Sequence, residues 1–191
     1  MLTQLTTLKT RLTLTVTDYD TLLTSAIKAV SARFDQECNR VLARTENATH
    51  EFSADATELR PECFPLESIS KLELKANETD GWTEQTDVEL LIRRQCVISL
   101  ASPLGTNRQQ ARLTYTGGYV LPGTSPAAGQ TALPDDLEQA AVEQSAWWFQ
   151  HRDKLGLIRT WPHDGTFEAY AQLDLLLEVR AVLRKYERWM V

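Results

Sequence analysis

At 191 residues the chain is long enough for one compact domain with a real core. Its 20 Lys and Arg against 26 Asp and Glu leave a formal charge of −6, which argues against a dedicated nucleic-acid binder and suits a protein that lets DNA slide past. The three cysteines, Cys38, Cys63 and Cys96, have no short spacing and read as free thiols in a reducing compartment rather than as a disulfide framework.

The opening "MLTQLTTLKTRLTL" has no apolar core of signal length, and no stretch approaches a membrane span, so no membrane partner is expected. Two glycosylation sequons, at Asn47 and Asn77, are therefore coincidental. Leu5, Leu8 and Leu12 recur at helical spacing and predict a short amphipathic helix over residues 3–12. "TVTDYD" breaks it, with Thr17 or Asp18 as a cap and Asp20 in the next first turn, where negative charge is favoured. Leu22, Leu23, Ala26, Ile27, Val30, Phe34, Cys38 and Val41 then fall at three- and four-residue steps, which predicts a helix of about 20 residues.

From about residue 47 the period changes to two. Leu72, Leu74 and Ala76 alternate with Lys71, Glu73 and Lys75; Val88, Leu90 and Ile92 alternate likewise, as do Cys96, Ile98 and Leu100, and Leu113 with Tyr115. These are half-buried antiparallel strands, with Asp80-Gly81 as a turn and the two prolines of "RPECFP" marking an extended connector. Residues 120–134 hold three prolines and two glycines and read as an exposed loop. Asp135 and Asp136 open the following helix. Leu137, Ala140, Ala141, Gln144, Trp147, Trp148, His151 and Leu155 share a broad face, with Gly156 as the stop. Phe167, Tyr170, Leu173, Leu177, Leu183 and Tyr186 mark a closing helical region with a candidate break near Asp174. Helices, then strands, then helices predict an α+β, mainly α fold in a single domain, 1–191. The helical core covers 1–45 and 133–191, as a short N-terminal helix, a long second helix and two C-terminal helical segments. An antiparallel β-module is inserted at about 48–120, followed by the Pro/Gly loop at about 120–133.

The chemical motifs are few. "LTYTGGYVLPG" has neither the spacing of a dinucleotide fingerprint nor the Lys-Ser/Thr of a phosphate loop, and a proline-rich loop rather than a helix follows it. Tyr115, Gly117, Gly118 and Tyr119 instead read as a structural corner, where glycine lets a strand kink without a Cβ clash. His151-Arg152-Asp153 matches the kinase triplet but ends a helix and lacks the partner motifs. The scattered cysteines and the histidines His50, His151 and His163 give no nucleophile–base pair and no metal-ligand spacing, so no catalytic, metal or cofactor site is expected. Trp147 and Trp148 point about 100° apart on a helix. Either one is core and the other lies against the β-module, or one lies in a subunit interface. The closing "RAVLRKYERWMV" reverses the global charge. It reads either as a basic last turn whose Trp packs back on its own domain, or as a docking tail formed by Tyr186, Arg188, Trp189, Met190 and Val191.

These features, in order, resemble the head–tail connector, or adaptor, proteins of tailed bacteriophages. The family's opening is similar to "LTTLKTRLTLTVTDYDTLLTSAIKAVSARFDQECNR": a leucine-spaced short helix, an acidic start and a long helix ending near Cys-x-Arg. "FPLESISKLEL" is similar to its proline-then-strand entry. "LTYTGGY" resembles its strand ending in Tyr115, Gly117, Gly118 and Tyr119, "LPDDLEQAAVEQSAWWFQHR" its Leu-Pro-x-Asp-Leu helix, carried by Leu133, Pro134, Asp136 and Leu137, and "LDLLLEVRAVLRKYER" its closing helix. Where members often carry a proline before that closing helix, this chain has Leu177, which leaves open whether the helix runs unbroken through Asp174. The resemblance implies a non-enzymatic virion protein of the neck, made in the host cytoplasm. Such a protein forms a homo-oligomeric ring, usually of twelve copies, between the portal protein and a tail-side neck or tail-completion protein. It also implies a role in extending the channel for double-stranded DNA, retaining the packaged genome and giving the tail its platform. Two other classes stay open: another neck or tail-completion protein that binds the tail tube, and a small cytosolic thiol enzyme.

Overall fold

A computed structural model describes residues 1–154, 159–160, 168–169 and 174–188. The fold is α+β and divides into two compact units. One joins Met1–Cys38 to Leu133–Glu187; the other runs from Asn39 to Ala132 and includes Arg188.

The first unit is helical. Helix α1 spans Leu5–Arg11, α2 Asp20–Glu37, α3 Asp135–Gln150 and α4 Leu177–Leu183. On α2 the residues Leu23, Ile27, Val30 and Phe34 are buried at steps of four, three and four, as a single helical stripe requires. Each such side chain contributes about 1.5–3 kcal/mol on full burial. No side chain caps α2; Tyr19 holds the N-cap position, and Asp20 in the first turn accepts an ion pair from Lys9 at 2.7 Å. The expected Thr17 or Asp18 cap is therefore not made.

Helix α3 packs against α1, α2 and α4, so it needs two apolar faces. Val142, Ala146 and Phe149 join Leu8, Leu23 and Ile27 in one buried cluster. Leu137, Ala140, Ala141 and Gln144 are buried on the neighbouring face. Its three acids in the first turn, Asp135, Asp136 and Glu138, complement the helix dipole. The helix ends at Gln150 and tightens into a 3-10 turn at Arg152–Lys154, earlier than a stop at Gly156, which lies outside the described residues with Leu155.

In the closing region Glu168–Ala169 pairs antiparallel with Arg159–Thr160. Phe167, Tyr170 and Leu173, expected on a helix, lie outside the described residues, but the backbone between the first two is strand. Two aromatics three apart carry too little pattern to exclude this. Residues 174–176 are not helical, so α4 starts afresh at Leu177. Gln144 fixes that start: its fully buried amide accepts the Leu176 N–H at 2.9 Å and donates to the Asp174 carbonyl at 3.3 Å.

The second unit carries nine strands: β1 Thr45–Ser53, β2 Glu58–Leu59, β3 Leu66–Lys75, β4 Thr83–Glu84, β5 Leu90–Arg93, β6 Val97–Leu100, β7 Gln110–Gly117, β8 Tyr119–Val120 and β9 Thr131–Ala132. An antiparallel sheet runs β1-β7-β3-β4, and a second runs β2-β6-β5. Central β7 alternates strictly, with Ala111, Leu113, Tyr115 and Gly117 buried. Leu72, Leu113 and Tyr115 from the first sheet meet Leu59, Ile98 and Leu100 from the second in one core. The β3–β4 turn is shaped by Asn77, whose Oδ1 accepts the N–H groups of Thr79 (3.0 Å) and Asp80 (2.9 Å).

Alternation placed Glu73 outward, yet it is only 4% exposed. The outer face of β3 and β7 is roofed there. Arg112 donates to the Glu73 carboxylate at 2.8 Å and stacks on the Trp82 ring at 4.3 Å, while Lys71 closes the other side at 2.6 Å. The hydrogen bonds from Lys71 and Arg112 hold the Glu73 carboxyl below its ordinary range. Residues 123–129 are exposed as expected, and the parallel β8–β9 pair pinches the base of the loop.

Candidate functional site

The glycine stretch is a tight backbone crossing. As β7 ends, a Cβ on Gly117 would lie 2.6 Å from the Cys63 carbonyl oxygen and 2.9 Å from that of Pro65. Gly118 has φ +101°, and its Cβ would lie 2.6 Å from the Ala43 carbonyl oxygen. Only glycine fits both the conformation and the approach. The Gly118 N–H donates to Pro65 O at 2.9 Å, and Tyr119 N–H to Leu42 O at 2.8 Å. Tyr115, 1% exposed, accepts the Cys63 N–H on its hydroxyl at 3.0 Å, and burial pushes its phenol above the ordinary range. Tyr119 is buried, and Arg40 lies 3.2 Å from the Phe64 ring centroid and 5.2 Å from that of Tyr119. The Gly118, Tyr119 and Cys63 N–H groups are all taken up by the protein itself, so the role of the crossing is positional.

Trp147 and Trp148 are both half-buried, and neither belongs to the helical cluster, whose α3 aromatic is Phe149. Trp147 stacks on His151 with ring centroids 4.7 Å apart. The Trp148 indole N–H is buried and has no hydrogen-bond partner among the described residues. At the chain end the Tyr186 hydroxyl donates to Asp136 at 2.6 Å, and Lys185 lies 3.6 Å from the same carboxylate. Arg188 approaches Glu62 at 3.8 Å. Trp189, Met190 and Val191 lie outside the described residues.

Cys38 and Cys63 are buried and Cys96 is half-buried, and none of the three is in a disulfide. Among the described residues no group of three or more His, Cys, Asp and Glu could hold a metal ion, and no helix is long and apolar enough to cross a membrane.

Two surfaces escaped the sequence reading. One is a groove of about 360 Å³ between α3 and α4, with an apolar floor of Ala140, Leu176, Val179 and Val182 and acids at its rim, Asp136, Glu143 and Glu178. Next to it Leu177 is 80% exposed. The other is β5, at the edge of its sheet, where Leu90 is 37% and Leu91 58% exposed. The run Leu90-Leu91-Ile92 is apolar on both strand faces, and that was the available signal.

The architecture is thus a helical unit and a β unit, with the glycine crossing inside the β unit. No protein-family model and no curated protein sequence matches the chain. Solved structures do. A chain in the neck of an empty gene transfer agent (GTA) particle computed with C6 symmetry is similar over 98% of this chain and 90% of its own, with TM-score 0.62 and 16% identity. A chain in the virion of the native GTA particle gives 0.60 at the same identity and coverage. A chain in the neck of the native particle computed with C12 symmetry gives 0.51 at 16% identity, over 89% of this chain and 84% of its own. The protein shares the fold of these phage-like particle components.

Proposed function

We propose that the chain is a structural component of a phage-type virion neck, the head–tail connector adaptor. It forms a ring below the portal, extends the DNA channel, helps retain the packaged genome and offers the tail its attachment platform. The fold carries this reading: it matches a neck chain across 98% of the sequence, helical and β units included. The neighbours' particles were computed with C6 and C12 symmetry, and sixfold symmetry is contained in twelvefold, so a ring of twelve copies fits both. A closed ring requires heterologous contacts, one face of each copy meeting a different face of the next. Trp147 and Trp148, half-buried outside the helical cluster, are one candidate contribution. The net charge of −6 suits a lumen that passes double-stranded DNA without gripping it. The residues from Tyr186 to Val191 are assigned to portal docking, and the tail-side face to a neck or tail-completion protein. Synthesis is in the bacterial host cytoplasm, with no cofactor and no enzymatic step.

The test is mass by light scattering of the full chain, alone and mixed with the portal ring of the same phage, with negative-stain images of the mixture. A ring of about a dozen subunits stacked on the portal is the expected result. Intact portals with the protein unbound beside them would overturn the portal-adaptor reading.

A further inference from the structure

We infer that in this ring the β5 edge of one copy docks in the α3–α4 groove of the next, Leu91 entering the apolar floor and Arg93 meeting the acidic rim. The inference rests on the ring reading and specifies which two faces meet.

Strand β5 is an open edge. Among the described residues it pairs only with β6, with Leu91 opposite Ser99 and Arg93 opposite Val97. Strand alternation puts Leu91 and Arg93 on one face, and Ile92, which packs on the core, on the other. Leu91 is 58% exposed, and Arg93 and Arg94 are exposed, with no ion pair or hydrogen bond from their side chains among the described residues. The tip is fixed: Arg94 and Gln95 both take left-handed conformations (φ 49° and 55°), and the Gln95 carbonyl accepts the Leu66 N–H at 2.7 Å. An apolar knob beside two exposed arginines on a fixed edge is complementary to an apolar site with acids at its rim.

The groove has the opposite character. Its floor is apolar, and Glu178 at its rim is exposed and makes no ion pair among the described residues. Asp136 and Glu143 add two carboxylates that are already engaged, Asp136 by the Tyr186 hydroxyl at 2.6 Å and Lys185 at 3.6 Å and Glu143 by Arg11 at 2.9 Å, which leaves Glu178 as the acid open to a partner. The spacing also corresponds. Leu91 and Arg93 are two strand residues apart, about 7 Å. Val182 and Glu178 are one helical turn apart on α4, about 6 Å. An apolar contact at one position therefore brings the guanidinium to the carboxylate at the next. The two faces differ in shape and in sign, so each copy offers one and receives the other, as a closed ring demands.

The test uses the full chain with Cys96→Ser, Leu91→Cys and Val182→Cys, assembled alone and on the portal ring, oxidised, and run on a non-reducing gel. A covalent ladder extending past the dimer is expected, with none from either single cysteine variant. Arg93→Glu should weaken ring assembly at least about tenfold while leaving the circular dichroism spectrum unchanged, and Glu178→Arg should restore it in the same chain. Intact rings that neither cross-link nor respond to Arg93→Glu would overturn the docking and leave the ring reading standing. Absence of rings from the unmodified chain, with and without portal, would overturn both.

Discussion

Gly118 gives the sharpest check on how the β unit is closed. In Gly118→Ala the new methyl would sit 2.6 Å from the Ala43 carbonyl oxygen and 2.8 Å from both the Ala43 carbonyl carbon and Arg44 Cα, all backbone atoms that cannot rotate away. The residue must also keep φ near +101°, a conformation L side chains rarely adopt. The conformational part costs about 1–3 kcal/mol and the overpacking about 1–3 kcal/mol. Together they remove about 2–6 kcal/mol, a large share of the 5–15 kcal/mol typical of a folded protein. Three other glycines separate the two terms. Gly117→Ala carries the contact alone, 2.6 Å from the Cys63 carbonyl oxygen, and should cost about 1–3 kcal/mol. Gly129→Ala carries the conformation alone, with φ +86° and open space around the methyl. Gly81→Ala carries neither and should be neutral or stabilising by up to about 1 kcal/mol. Urea unfolding midpoints of the four variants measure the series. A Gly118→Ala variant no less stable than Gly129→Ala would refute the close-approach argument.

Tyr115→Phe leaves the Cys63 N–H without its acceptor in a buried site and should cost about 1–3 kcal/mol in urea. Because the folded phenol is held above its ordinary value of 10.0, stability is full below that pH and falls as pH rises through and beyond it. Tyr115→Phe should flatten this alkaline limb, and an unchanged limb would exclude Tyr115 as its source. Glu73 has the opposite sign: its folded carboxyl titrates below 4.5, so its contribution is present above that pH and lost as pH falls through the lower folded value. Glu73→Gln should narrow the difference between urea midpoints at neutral and acid pH. Gln144→Leu should destabilise by about 1–3 kcal/mol, since the Leu176 N–H then has no acceptor, and equal stability would remove Gln144 from the start of α4. Thiol labelling of the folded chain should modify Cys96 first, with Cys38 and Cys63 reacting only on unfolding; rapid labelling of either buried thiol at neutral pH would revive a thiol enzyme. Deleting residues 187–191 should leave the circular dichroism spectrum intact and abolish portal binding, and unchanged binding would free the chain end of that role.

Sequence alone determined what periodicity and local chemistry encode. The α2 stripe of Leu23, Ile27, Val30 and Phe34, the alternation of β7 and the acidic start of α3 are each set by residues within a few positions of one another. The absence of a helix after Gly117-Gly118 was equally local. Tertiary structure decided everything that depends on a distant neighbour. Glu73 is buried because Arg112, far along the chain, bonds its carboxylate and is held against the Trp82 ring. Phe149, rather than Trp147 or Trp148, fills the helical cluster because α3 meets α1, α2 and α4 at once and divides its apolar residues between two faces. Gln144 read as one more residue on a helix face, and only the return of residues 174–176 turned its amide into the anchor of α4. The groove and the β5 edge follow the same rule. An acid on α3 and another on α4 become one rim, and an apolar run becomes an exposed edge, only once the helices pack and the order β2-β6-β5 places β5 last.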